Sequence, residues 1–594
     1  MMKAPFLIIA FSLFAMISCN SPETRQQADY DALMDTLMAD YHEDYLRLFP
    51  VEATLSGDTR YNDTLPNDIS LAFLEQLRQF YQNYKDRLAT IDRNALDEED
   101  RLSYDIIAWN CNLGLERLRF KEHLMPINQF WSTPLLVGQL ASGASFQPFE
   151  TVKDYDNWLS RLEDYVEWCD TAIVNMRKGM AEGYVLPKVL ARKVIPQLRE
   201  FDHGPVANHL FYAPIRKMPE TFSEVEKQRL TKAYEEMVSQ KIIPAHKRLA
   251  DFIEKEYLPA CRETAGISEI PIGREYYQFL IKYYTTTDMT ADEVFELGQR
   301  EVERITKEME AVMKETGFNG NLKAFFDHLR TRKELMPFKT ADEVIANFNA
   351  IHERMKPHLD RLFDKKPKTP FEVRRTEAFR EAAASAEYNP GSLDGTRPGI
   401  FYVPVPEPKE YNVLMDEDLF LHEAIPGHHY QISLQQENES LPEFRKLLGN
   451  SAYIEGWALY AESLGKELGL YTDPYQYFGM LSGEMHRAIR LVVDAGMHTQ
   501  GWTREQAIQY SLDHEAETEA SIIAEIERYM AIPGQALSYK VGQLKIRELR
   551  KRAEEAFGEN FDIGEFHNKV LESGTVPLNL LEEKIDRWIE SSRQ

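Results

Sequence analysis

Apolar side chains recur every three or four positions along most of the chain, with charged residues between them. That is the pattern of amphipathic helices packed through one face. In Tyr30 to Leu48 the stripe is Leu33, Leu37, Tyr41, Tyr45 and Leu48, and Pro50 ends the run. The same spacing predicts helices over Leu71–Leu88, Asp97–Phe120, Tyr155–Gly183, Ser223–Glu256, Ala291–Thr316 and Glu343–Phe363. Thr290 stands three residues before Glu293 at the head of one of them, the spacing of a capping box. Charged faces such as Arg300–Lys314 read as solvated surface. No repeat of fixed period and no Ser/Gly-rich linker divides the chain, so the expectation is a mainly α protein with one large helical body over residues 28–594.

Two stretches break the pattern. Between Tyr388 and Pro408, the turn signals Asn389-Pro390-Gly391 and Arg397-Pro398-Gly399 surround Ile400-Phe401-Tyr402-Val403, which has strand composition. A small β element is expected there, with Tyr402 a candidate substrate contact if the strand adds an extended peptide to its edge. At the N-terminus, Ala4–Ser18 is an uncharged, mostly apolar run, shorter than the roughly 20 residues of a membrane-spanning helix. It reads as a signal peptide, residues 1–18. Ser18-Cys19 followed by a polar tether, 19–27, resembles a lipobox in which Cys19 is lipidated; plain secretion with Cys19 as a chance residue is the alternative.

Composition narrows the classes. With 43% hydrophobic residues, 31 Phe, 29 Tyr and 7 Trp, the chain can bury a large core and is not disordered. A net charge of −27 opposes non-specific attachment to nucleic acid or anionic membrane, which leaves a lipid on Cys19 as the expected membrane contact. Cys111, Cys169 and Cys261 allow at most one disulfide and are equally readable as buried thiols.

Candidate chemistry concentrates downstream, where six of the fifteen histidines fall between 422 and 514. The run His422-Glu423-Ala424-Ile425-Pro426-Gly427-His428-His429 is similar to the zincin motif His-Glu-x-x-His, but proline stands where the second histidine belongs. On a straight helix His428 would lie roughly 240° around from His422, and His429 about 10.5 Å along the axis. Neither can share an ion with His422 at about 2.0–2.1 Å. Pro426 and Gly427, however, predict a kink or bulge, and two residues absorbed there would restore the relation of His422 to His428. Otherwise Pro-Gly simply ends a helix beside ordinary histidines. Glu455 and Glu462 lie seven apart on one helical face in an apolar, aromatic run, where a carboxylate is costly unless paired or metal-bound. Glu455 is the natural third ligand of a His₂Glu set; Glu462 could orient a ligand imidazole or form a surface ion pair.

These segments, with Arg490-Leu491-Val492-Val493-Asp494-Ala495-Gly496-Met497-His498, Tyr284-Thr285-Thr286, Arg528-Tyr529 and Tyr539-Lys540, resemble the bacterial "domain of unknown function 885" family. That family is similar in turn to the helical gluzincin peptidases, whose motif is His-Glu-x-Gly-His. The resemblance implies a helical body with a deep cleft, and zinc held by His422, His428 (in preference to His429) and Glu455. It further implies Glu423 as general base and Tyr539 as a donor to the oxyanion, unless Tyr539 is a core tyrosine. The expected activity is hydrolysis of short peptides, of oligopeptidase or carboxypeptidase type, at the periplasmic face or outer surface of the envelope. His486, Arg490, Asp494 and His498 fall on one side of a helix. Arg490, His498 and Arg528 are candidate contacts for a peptide carboxylate, with an internal Arg490–Asp494 pair as the alternative. The competing class is a non-catalytic envelope lipoprotein that binds peptide or glycan, which has no need of Glu423.

Overall fold

The protein is described by a computed structural model over residues 22–143, 145–377, 381, 385–392 and 397–592. The signal peptide and Cys19 lie outside these residues. The first helix, Pro22–Leu48, already includes residues 22–27 of the expected tether. The periodic segments fold as read: Leu71–Leu88 and Glu98–Arg117 are helices, and so are α1 (Val152–Glu182) and α2 (Ala291–Glu315). Thr290 and Glu293 close the capping box that starts α2. One long segment departs from its pattern. Residues 223–256 form Glu224–Met237 and Ile243–Phe252, with wider π turns at Val238–Ile242 and Ile253–Tyr257. Pro244 and Pro259 each lack an amide donor just after such a turn, and the wider spacing accommodates them.

A three-stranded sheet follows, made of β1 (Phe371–Arg375), β2 (Glu387–Asn389) and β3 (Gly399–Val403) in the order β1-β3-β2. Here one expectation is corrected. β3 is the central strand, parallel to β1 and antiparallel to β2, so Ile400–Tyr402 has neighbours on both sides and cannot add a peptide at an edge. Tyr402 lies opposite Arg374 on one side and Glu387 on the other. Its hydroxyl hydrogen-bonds the Arg374 guanidinium.

Helices follow the sheet, among them α3 (Asp416–Glu423), α4 (His428–Glu437), α5 (Ser451–Glu462), α6 (Pro474–Thr499), α7 (Glu519–Ala531) and α8 (Leu537–Phe557). They pack with α2 and the first helices around the largest of three apolar cores, which runs from Met34 to Ile589. The second core surrounds α1, through Trp158, Tyr165 and Trp168, and is built wholly from residues 65–261. The two parts touch where Gln129 donates to the Glu527 carbonyl at 3.0 Å. Lys540 of α8 is fully buried and binds Glu484 of α6 at 2.6 Å and Glu301 of α2 at 3.0 Å, cross-linking three helices. Removing one partner of such a buried ionic group would leave an uncompensated charge. Cys111, Cys169 and Cys261 are free and buried; burial pushes each thiol up to about 12, so they are inert.

Candidate metal centre

α3 stops at Glu423 and α4 begins at His428, so the helix is interrupted where Pro426 and Gly427 predict it. Ala424 leaves helical geometry at φ −106°, ψ −105°, and the Ile425–Pro426 peptide is cis. The chain folds back so tightly that a Cβ on Gly427 would lie 1.9 Å from the His422 carbonyl oxygen. Only glycine fits at that contact. Trp457 of α5 donates its indole N–H to the Pro426 carbonyl at 2.8 Å and pins the loop to the neighbouring helix.

The interruption faces the two histidines toward each other, with ring centres 4.7 Å apart. Nε2 of His422 and Nε2 of His428 each stand 3.5 Å from the same oxygen of Glu455, Oε2. Among the described residues, His422, His428 and Glu455 form the one group of three whose ligand atoms are close enough to hold an ion, all within 4.8 Å. Donors about 2.0–2.1 Å from a tetrahedral ion are separated by roughly 3.3 Å, which the 3.5 Å spacings match. Glu455 Oε2 is buried and has no hydrogen-bond partner in the protein, as expected of an atom meant for a cation. The residues therefore fit a divalent metal. The Glu455 side chain keeps 21% of its exposure, so the group is open to solvent on one side.

Electrostatics agree with a cation site. Burial alone would raise Glu455, yet its contacts with His422 and His428 hold it well below the usual carboxylate range. At the far side of His422, Nδ1 shares a 2.7 Å hydrogen bond with buried Glu462. Glu462 thus fixes the orientation of the His422 ring, and its burial excludes the surface ion pair. Behind it, burial and then the Glu462 charge push Asp418 well up. Asp418 is a site residue the sequence reading missed. Three acidic residues at a helix start, Asp416 to Asp418, look like ordinary helix N-terminal usage, yet all three are buried.

His429 takes another role. Its Nδ1 shares a 2.9 Å hydrogen bond with Tyr388, and its ring packs against Phe371 with centres 5.0 Å apart, which ties α4 to the sheet. Burial pushes it down to about 4. Glu423 is buried, and burial raises its proton affinity, tempered by His422 and His428. Tyr539 lies close enough for Glu455 to raise it further after burial has done so.

The other candidates separate. His498 does not reach the group: Nδ1 accepts from the Ile267 amide at 3.0 Å and Nε2 donates to the Tyr529 carbonyl at 3.1 Å. Burial pushes it down to about 3, so it is a neutral strut with both ring nitrogens used. Arg528 is consumed by Glu525 and Gln535. Asp494 does not pair with Arg490; it accepts from the Tyr277 hydroxyl and the Gly534 amide. Arg490 instead binds Tyr529, Glu525 and His486, and its guanidinium carbon lies 4.5 Å from the centre of the Tyr539 ring. Glu525, three residues before Arg528, was masked in the sequence as an ordinary helical ion pair.

Comparison with known proteins bears on the whole body. The family described as "Bacterial protein of unknown function (DUF885)" matches residues 50–585. The chain belongs to that family. Among solved structures, a "putative lipoprotein" from Colwellia psychrerythraea matches this DUF885 chain at 27% identity and a TM-score of 0.86, over 95% of this chain and 99% of its own. A "putative lipoprotein of unknown function" from Shewanella oneidensis shares the fold at 19% identity and a TM-score of 0.75, over 93% and 99%. A comparison of this DUF885 chain with curated proteins returns no match.

Proposed function

We propose that this chain is a zinc-dependent metallopeptidase acting on short peptides in a deep cleft, held at the cell envelope by a lipid on Cys19. One observation carries the catalytic reading: two imidazoles converge at 3.5 Å on an unpartnered Glu455 oxygen, with a second carboxyl, Glu423, directly after the first ligand in the chain. His422, His428 and Glu455 would hold a zinc ion, which would supply Lewis-acid polarisation of a carbonyl and lower the pKa of water to near 7. Glu423 takes a proton from water and returns it to the leaving amine, a task that suits a carboxyl whose burial raises its proton affinity. Glu462 keeps the His422 ring oriented with Nε2 toward Glu455. Tyr539, kept protonated by burial and by the nearby Glu455 charge, donates to the oxyanion. For the location, the signal layout and the description of the Colwellia relative support a lipid anchor. No helix among the described residues is long and apolar enough to cross a membrane.

The test is elemental analysis of the purified protein with hydrolysis of a mixed peptide library, before and after chelation. Stoichiometric zinc and chelator-sensitive cleavage are expected. Glu423→Gln should retain the metal and lose about 10²–10⁴-fold in kcat. Zinc without chelator-sensitive cleavage would mean a binding protein for peptide or glycan, and wild-type turnover in Glu423→Gln would remove that residue from the mechanism.

A further inference from the structure

The surroundings of Arg490 are unbalanced in a specific way. Two guanidiniums, Arg490 and Arg528, and the His486 imidazole all converge on one carboxylate, Glu525, at 3.0, 2.9 and 3.4 Å. Glu515 occupies the other nitrogen of His486 at 2.6 Å, and Gln535 accepts from Arg528 at 2.8 Å. Every donor of the cluster is thereby answered except one. Arg490 spends Nε on the Tyr529 hydroxyl and Nη2 on Glu525, while Nη1 is buried with no partner. Arg490 as a whole is 7% exposed. Leaving a charged donor unanswered inside a protein is costly, and the cost is offset when a ligand oxygen completes it.

The unanswered edge belongs to the metal side of the molecule. The ring covering the Arg490 guanidinium is that of Tyr539, which sits in the first turn of α8, three residues before Gly542, where that helix meets the backbone of α5 at Gly456, the residue after Glu455. One tyrosine side chain thus separates Arg490 from the ligand set. A peptide spans at most about 3.3–3.6 Å per residue, so an anion held one side chain away from the ligands lies near the carbonyl held at them along a substrate. The anion a peptide carries at that distance from its last cleavable bond is its terminal carboxylate, and a guanidinium edge is the natural recogniser of a carboxylate.

We infer that Arg490 binds the C-terminal carboxylate of the substrate, so that the protein is a carboxy-terminal exopeptidase rather than an endopeptidase. The inference rests on the peptidase reading and decides the kind of peptide it takes. Arg528, whose donors are satisfied by Glu525 and Gln535, holds Glu525 and through it the pose of Arg490.

The experiment compares N-acetyl-tetra-alanine with its C-terminal carboxamide on the zinc-loaded protein. Hydrolysis is followed on the wild type, and binding by calorimetry on the zinc-loaded Glu423→Gln variant. Free acid should be preferred over amide by about 30-fold or more in both readouts. Arg490→Gln should abolish the preference, bringing acid and amide to the same level in both readouts, and Arg490→Lys should restore part of it. The wild-type comparison needs no variant, so a poorly folding Arg490→Gln protein leaves the test intact. Equal cleavage of acid and amide overturns the inference while sparing the peptidase reading. Selective binding of the acid without any hydrolysis keeps Arg490 as the partner of the carboxylate but removes the peptidase reading, and the exopeptidase assignment with it.

Discussion

At the scale of single residues, His422 is set between two carboxylates, Glu455 on Nε2 and Glu462 on Nδ1. With Glu462 accepting from Nδ1–H, the lone pair of Nε2 points toward the ligand position. Glu462→Gln keeps the volume but can offer a donor to Nδ1, which favours the wrong tautomer. Zinc affinity should then fall by about 10–100-fold, read by competition with a chromogenic chelator; an unchanged affinity would make Glu462 a mere packing residue. Legibility at this scale followed chemistry that is local in sequence. His422, Glu455 and the choice of His428 over His429 were readable from spacing and resemblance, because few side chains can do their work. His498 and Arg528 were not, because what satisfies them, the Ile267 amide, the Tyr529 carbonyl and Gln535, is supplied by backbone and neighbours that a motif does not display.

Between elements, the decisive contact is the crossing of α5 and α8. A Cβ on Gly456 would lie 2.5 Å from the Cα and carbonyl carbon of Gly542, so the two backbones touch with no side chain between them. Glu455 on one helix and Tyr539 on the other are brought together by that approach. Gly456→Ala must force the helices apart, costing about 1–3 kcal/mol by overpacking. Thermal stability and zinc affinity should drop together in differential scanning calorimetry and chelator titration; a drop in stability alone would show that Glu455 does not depend on the crossing. Helices were the legible elements, since 3.6-residue periodicity is written in each segment, and the break at Pro426-Gly427 was legible for the same local reason. The place of β3 in its sheet was not. Ile400–Val403 announces a strand, but whether it is central or at an edge depends on residues 371–375 and 387–389.

Across the whole molecule, buried carboxyls pull the pH dependence in two directions. Burial would raise Glu484, but the charges of Lys540 and Arg304 hold it down at about 2. Its contribution is present above its unfolded value and is lost as pH falls toward 2. Asp416 and Asp494 are pushed by burial up to about 8 and about 7. Their contribution is full below about pH 4 and is lost as pH rises through those values. Stability should therefore peak in the mildly acidic range. Asp494→Asn removes one of the rising costs while keeping an acceptor for Tyr277 and Gly534. Its stability relative to wild type should improve by on the order of 2 kcal/mol between pH 5 and pH 8 in denaturant titrations. A flat difference would mean that Asp494 is ionised throughout. The fold class was legible at this scale, but the division of the apolar interior into separate cores was not, since no linker marks it.

The wedge of Gly427 against the His422 carbonyl has one more consequence. The relation between the two histidines is set by backbone contact, fastened by Trp457, and owes nothing to an ion for its shape. Metal loading should then resemble a ligand entering a finished socket rather than a fold being completed. Zinc should be removable and returnable at a pace governed by its path to Glu455, with the protein keeping its helical circular dichroism throughout.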